Sequence, residues 1–216
     1  MTAELERGLR EGLADLGLVL ADAQVSQLLA YQALIAKWNQ VYNLTAVRDP
    51  QEMLTHHLLD SLAVVPPLRQ QLAGRATLLD VGSGAGLPGV VLAITCPELT
   101  VTCVDTVAKK AAFIQQAAVS LGLPHLKGLH ARVETLSGPY DVISSRAFSS
   151  LPDFVKGSRQ ALAPQGVWMA MKGKHPQEEL AALPADVDVF HVEPLTVPGL
   201  SAERCIVWMR LAAQDS

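Results

Sequence analysis

The sequence predicts an α/β fold: a mostly parallel sheet of seven strands with helices on both faces, preceded by an extension made only of helices. Three observations carry this. From Ala76 onward, short apolar and β-branched runs alternate with helix-periodic stretches, the pattern of parallel strands joined by crossover helices. Before that point the apolar residues recur at helical spacing alone. Between the two regions lies LLDVGSGAGLPG, residues 78–89, an apolar run that ends in Gly82, Gly84, Gly86 and Gly89. A chain of 216 residues, half of them apolar, is long enough to bury one sizeable core.

In the helical extension, Leu5, Leu9, Leu13, Leu16 and Leu20 define a first helix. Val25, Leu28, Leu29, Leu34, Ile35, Trp38, Val41 and Tyr42 define a second, with Asp22 as its N-cap and Asn43 as its stop. Asp49-Pro50 opens a third, with Pro50 at the first helical position, and Pro66-Pro67 is expected to end it. Strands are expected at 76–81, 100–105, 125–130, 140–145, 166–172, 187–193 and 204–210, and helices at 87–95, 107–121, 150–163 and 176–182. Residues 194–203 leave no room for a helix, so the last two strands should be an antiparallel pair at the end of the sheet. The expected division is a helical region over 1–70 packed on a domain over 71–216.

Composition narrows the class. The start, MTAELERGLREGL, is charged and helix-periodic and lacks the apolar stretch of a secretory leader. The longest mostly apolar run, Val90 to Val104, is interrupted by Pro97 and Glu98, so no membrane span is expected. Cys96, Cys103 and Cys205 form no metal spacing, which predicts reduced, structural thiols in a cytoplasmic protein and no metal. Net charge is −4, unevenly spread: residues 107–175 hold 9 Lys/Arg against 3 Asp/Glu, and both flanking segments are acidic. A basic middle third between acidic ends could form one positive patch.

The glycines follow the first strand, where backbone N–H groups of a doubly wound sheet meet a ligand. Dinucleotides and S-adenosylmethionine both bind there, and a literal G-x-G-x-x-G runs from Gly84 to Gly89. Asp80 separates the two ligands by sign. A carboxylate beside the turn repels a diphosphate and attracts the ammonium and sulfonium of S-adenosylmethionine, by about 4 kcal/mol at 4 Å and an effective dielectric near 20. Asp105, 23 residues past Gly82 and at the end of the second strand, stands where an acid accepts hydrogen bonds from ribose hydroxyls.

The acceptor leaves marks after the fourth strand. There the chain reads VISSRAFSSL, residues 142–151, without the Asn/Asp-Pro-Pro-aromatic turn of base-amine methylation. No cysteine lies between Cys103 and Cys205 to serve as the nucleophile of pyrimidine C5 chemistry. Arg146 takes the reactive position, and a guanidinium orients but is not a base. That suits an acceptor that keeps its protons, such as guanine N7, with catalysis by alignment. His56 and Asp60, four residues apart, could hydrogen-bond on one helix face and tie the helical region to the sheet. Trp38, Tyr42 and Asn43 read as packing of the N-terminal helices or as an RNA stacking platform.

WNQVYNLTAVRDP (38–50), HHLLDSL (56–62), LLDVGSGAGLPG, VDTVAKKAAFI (104–114), ARVE (131–134), SRAFSSL (145–151) and MKG (171–173), in this order, resemble the ribosomal small subunit methyltransferase G family, also called glucose-inhibited division protein B. The resemblance implies a Rossmann-like class I methyltransferase fold. It implies S-adenosylmethionine-dependent methylation of guanine N7 at position 527 of 16S rRNA in the small ribosomal subunit. It also implies cofactor contacts at Gly82 and Leu87, at Val133 and Glu134, and at Arg146. To these the residues themselves add Asp80, Gly84 and Asp105 as cofactor-binding candidates. Ala85 stands where a proline is common in the family's loop, and it leaves the turn feasible. Lys109, Lys110, Arg132, Arg146, Lys172 and Lys174 fall at strand C-termini or the loops that follow and are candidate RNA contacts, Lys109, Lys110, Arg132 and Lys172 foremost. Two other readings compete: a non-catalytic RNA-binding assembly factor on the same fold, and an NAD-dependent dehydrogenase. A monomer is expected, since no long apolar stripe is left exposed.

Overall fold

A computed structural model describes residues 2–72, 74–146, 148 and 150–213. The helical region opens with α1 (Thr2–Asp15) and α2 (Asp22–Tyr42). Ala21, not Asp22, holds the cap position of α2, where the Gln24 side chain accepts from its N–H at 3.0 Å. Asn43 ends the helix in the left-handed conformation, φ 48° and ψ 56°. The Asp49 side chain caps α3 (Pro50–Met53) by accepting from the N–H groups of Gln51 and Glu52. The helix then widens into a π turn (Leu54–Leu59) before α4 (Asp60–Leu62). As expected, the helix opened by Asp49-Pro50 stops before the proline pair, at Leu62, and a further helix follows. Pro66 and Pro67 sit in the first turn of α5 (Val65–Gln71), where a missing N–H costs nothing.

The sheet follows, as β1 (Ala76–Val81), α6 (Gly89–Thr95), β2 (Leu99–Asp105), α7 (Ala108–Ser120), β3 (Leu126–His130), β4 (Tyr140–Ser145), α8 (Leu151–Ser158), β5 (Leu162–Lys172), α9 (Gln177–Ala181), β6 (Val187–Leu195) and β7 (Arg204–Leu211). The strand order is β3-β2-β1-β4-β5-β7-β6. The pairs β1–β2, β1–β4, β2–β3 and β4–β5 are parallel; β5–β7 and β6–β7 are antiparallel. The last two strands are thus the expected antiparallel pair, with β7 inserted between β5 and β6. The helix expected over 150–163 is shorter: a 3₁₀ turn, Arg159–Ala161, follows α8, and β5 begins at Leu162. There Ser158 takes the Trp168 indole N–H at 2.9 Å and donates to the Phe154 carbonyl.

Strand alternation sorts the core onto two faces. Leu78, Val101, Cys103, Val142, Met169, Ile206 and Trp208 point to one face, covered by α6, α7 and the N-terminal helices in one continuous apolar cluster. Leu79, Val104, Ile143, Trp168, Ala170, Val207 and Met209 point to the other, covered by α8 and its neighbours. Because strands on either side of β1 run out in opposite directions, the crevice between β1 and β4 is the topological switch point. All three cysteines are buried and unpaired. No helix among the described residues is long and apolar enough to cross a membrane.

Candidate active site

The glycine loop closes β1 onto β2 through its own amides. Gly82 and Ser83 donate to the Val104 carbonyl at 2.9 and 3.3 Å, and Gly86 and Leu87 donate to the Ser83 carbonyl. Gly84 donates to Asp105 Oδ2 at 2.9 Å, from a backbone with φ +60° that requires glycine. Gly89 donates to Asp80 Oδ2 at 3.0 Å, and a Cβ there would overlap the Cys103 thiol. The helical region fastens the loop from outside: the Tyr31 hydroxyl, fully buried, donates to the Ala85 carbonyl at 2.6 Å. Nothing in the spacing of α2 singles out Tyr31 from its apolar neighbours, so the sequence offered no signal for this contact.

A cleft of about 360 Å³ opens at the C-terminal edge of the sheet, lined by Gly82, Asp105, Val107, Lys110, Arg132, Val133, Glu134 and Phe148, with Val81, Val104, Thr106 and Ala131. It falls in the size range of small-molecule sites. Asp105 Oδ1 accepts from the Val107 N–H at 2.9 Å, so one backbone donor holds each oxygen and each keeps acceptor capacity toward the cleft. Val133 and Glu134 form a 3₁₀ turn on the far wall, and Arg132 and Glu134 pair at 3.7 Å on the surface.

The other candidates separate. Asp80 has no solvent exposure and does not line the cleft; it accepts from the Ser144 hydroxyl at 2.9 Å as well as from Gly89, and burial pushes its pKa up to about 6. Its carboxylate shapes the loop from behind instead of meeting a ligand in front. Leu87 is a core residue, and Gly84 serves the loop through its amide. Lys110 and Arg132, expected on RNA, stand on the wall of the cleft, whereas Lys109 is exposed on α7.

Arg146 belongs to a second pocket of about 320 Å³, lined by His56, Asp60, Arg146, Met171, Lys172, Gly173 and Arg204. Its Nη1 donates to the His56 carbonyl at 2.9 Å and to Asp60 Oδ2 at 3.3 Å. Arg204 Nε donates to Asp60 Oδ1 at 2.9 Å. The helical region is therefore tied to the sheet by Asp60 and two arginines, not by a His56–Asp60 bond: the π turn takes the place of regular four-residue spacing there. The neighbouring His57 is buried and bonded through Nε2 to the Thr45 hydroxyl, and burial, then Arg146, lowers its pKa to about 4. Lys172 is held by both oxygens of Glu179, at 2.7 and 3.1 Å. Trp38 packs on Phe113 of α7 and on Tyr42. A larger groove of about 910 Å³ lies at the opposite end of the sheet, around Arg159, Asp186, Asp188 and Arg210, away from every strand C-terminus that carries the loops above.

The model of the family described as rRNA small subunit methyltransferase G, GidB, matches residues 24–207. A ribosomal RNA small subunit methyltransferase G of Acidovorax ebreus is 70% identical, covering 97% of this chain and 96% of the relative. That of Albidiferax ferrireducens is 68% identical over 97% and 99%. Among solved structures, an S-adenosylmethionine-dependent methyltransferase from Aquifex aeolicus superposes with a TM-score of 0.56 at 19% identity, covering 76% of this chain and 94% of that one. TrmN from Thermus thermophilus gives 0.57 at 20%, over 73% and 53%. These two show the fold, that of class I methyltransferases. The chain belongs to the rRNA small subunit methyltransferase G family and is a methyltransferase.

Proposed function

We propose that this chain transfers a methyl group from S-adenosylmethionine to N7 of a guanine of 16S rRNA, at position 527, in the small ribosomal subunit. It does so as a cytoplasmic monomer without a metal, with residues 71–216 as the methyl-transfer domain and residues 1–70 as the helical region packed on it. The observation that carries the reading is a pair of unlike pockets on the segment that leaves β4. Phe148 lines the cleft of Asp105 and Gly82, and Arg146, two residues earlier, lines a basic pocket.

The cleft suits S-adenosylmethionine better than a dinucleotide. The amides of Gly82, Ser83, Gly84, Gly86, Leu87 and Gly89 already donate to acceptors within the protein, leaving no nest of N–H groups for a diphosphate. Asp105 would hold the ribose hydroxyls, Val133 and Glu134 would border the adenine, and Gly82 would leave room for the methionine end. When bound, S-adenosylmethionine supplies an electrophilic methyl group. Guanine N7 offers a lone pair and gives up no proton, so the protein provides no general base. Arg146 and its neighbours hold the acceptor in line, and Phe148 keeps water from the cleft wall.

Calorimetric titration with S-adenosylmethionine and with NAD, followed by transfer of labelled methyl groups to unmodified small subunits and mapping of the labelled base, tests the proposal. Binding of the first ligand only, with label on guanine N7, is expected. Binding of NAD alone points to a dehydrogenase. Cofactor binding without transfer points to an assembly factor.

A further inference from the structure

Three cations and two anions meet at the second pocket. Lys172 is neutralised by Glu179, which accepts with both oxygens. Asp60 faces two guanidiniums, so within the ion pairs of this pocket one positive charge stays uncompensated. The Asp60 side chain is only 4% exposed, while those of Arg146 and Arg204 are 26% and 24% exposed: the carboxylate is the floor and the guanidiniums are the rim. Arg146 spends Nη1 on His56 and Asp60, and Arg204 spends Nε on Asp60 and Nη1 on the Glu203 carbonyl. Nε and Nη2 of Arg146 and Nη2 of Arg204 have no protein acceptor among the described residues. Each arginine comes from a different part of the sheet, the end of β4 and the start of β7, and Asp60 reaches both from the helical region.

We propose that Arg146 and Arg204, set side by side by Asp60, form a site for one phosphodiester of the acceptor RNA, with Asp60 as its positioning residue. The inference rests on the proposed RNA substrate and adds to it a residue the sequence reading did not single out, Arg204, and for Asp60 an organising role beyond the tie between helices and sheet. Two guanidinium forks fixed from below present their remaining donors to one tetrahedral anion, and the fixed fork loses little freedom on binding. The single net charge matches a phosphodiester. It also matches a carboxylate, so the methionine end of the cofactor is the competing occupant, and the test separates the two.

The experiment measures binding of unmodified small ribosomal subunits over a range of salt, together with S-adenosylmethionine affinity and methyl transfer, for wild type, Arg204→Gln, Arg204→Lys, Asp60→Asn and Arg210→Gln. Arg210 lies at the far end of the same strand and controls for lost charge. Arg204→Gln is expected to weaken subunit binding about ten- to hundredfold and to flatten the plot of log affinity against log salt by about 0.7–1, with cofactor affinity unchanged. Arg204→Lys keeps the salt slope and recovers part of the affinity, and Asp60→Asn raises KM for subunits more than it lowers kcat. A purely structural role would instead lower thermal stability and kcat with the salt slope intact. Arg204→Gln indistinguishable from Arg210→Gln overturns the proposal, and so does an Arg204→Gln variant that loses cofactor affinity. If Arg204→Gln does not fold, Arg204→Lys decides by the same two readouts. Absence of methyl transfer by the wild type rejects the proposed function separately, since binding and its salt slope are read without turnover.

Discussion

Two buried carboxylates flank the site and solve the same problem in opposite ways. Asp80 is satisfied by neutral donors, the Ser144 hydroxyl and the Gly89 amide, and burial raises its pKa to about 6. Asp60 is satisfied by charge, between Arg146 and Arg204. The neutral arrangement builds a backbone loop and presents nothing outward. The ionic one holds cations whose other donors face a pocket. An acid beneath a site thus acts through what it holds in place, and its partners decide whether that is a turn or a binding surface.

Asp60→Ala breaks the comparison most severely. It leaves two partly buried guanidiniums facing each other without a counter-charge, and a loss of about 3–5 kcal/mol in urea unfolding is expected. A loss below 1 kcal/mol would show that the pair is solvated and that Asp60 organises little.

The pH dependence of stability comes next. Asp80, raised to about 6, keeps a proton in the folded state that the unfolded chain releases, so its contribution falls as pH rises from about 4 to 6. His57, lowered to about 4, is neutral where the unfolded chain binds a proton, so its contribution is lost as pH falls from 6.5 toward 4. The two slopes oppose each other in one window, each worth about 3 kcal/mol at most. Unfolding at several pH values should show Asp80→Asn gaining on wild type as pH rises through that window, and His57→Gln losing ground. Parallel curves would mean that Asp80 is ionised at no cost.

A third acid sharpens the contrast, because Asp105 does both jobs, bracing Gly84 and Val107 and lining the cleft. Asp105→Ala should weaken S-adenosylmethionine binding by about 1–3 kcal/mol in a calorimetric titration, and an unchanged affinity would remove it from the site. The smallest effect belongs to Tyr31→Phe, which deletes one hydrogen bond to the glycine loop. About 1 kcal/mol of stability and a few-fold in cofactor affinity should be lost. No change in either would mean that packing alone holds the loop.

Much of this was legible from residue order. The alternation of strand and helix, the switch from helical spacing at Ala76, the antiparallel end of the sheet and the glycine loop are local patterns, set by side-chain periodicity and backbone preference. The role of Asp80 was not legible. Two residues before a glycine turn, an acid can point forward to a ligand or back into the core, and packing against Cys103 and Ser144 put it in the core. Lys172 shows the same difficulty, because the glutamate that neutralises it lies seven residues away on α9.

By itself the chain order determined the layered α/β architecture, the glycine loop after the first strand and Asp105 at the strand end, since each depends on neighbours in sequence. Only the tertiary structure decided which charges survive to meet a ligand. Ion pairs such as Asp60 with Arg146 and Arg204 join residues 86 and 144 positions apart. The free donors of a guanidinium depend on every acceptor within about 3 Å, and that count exists only once the chain has folded.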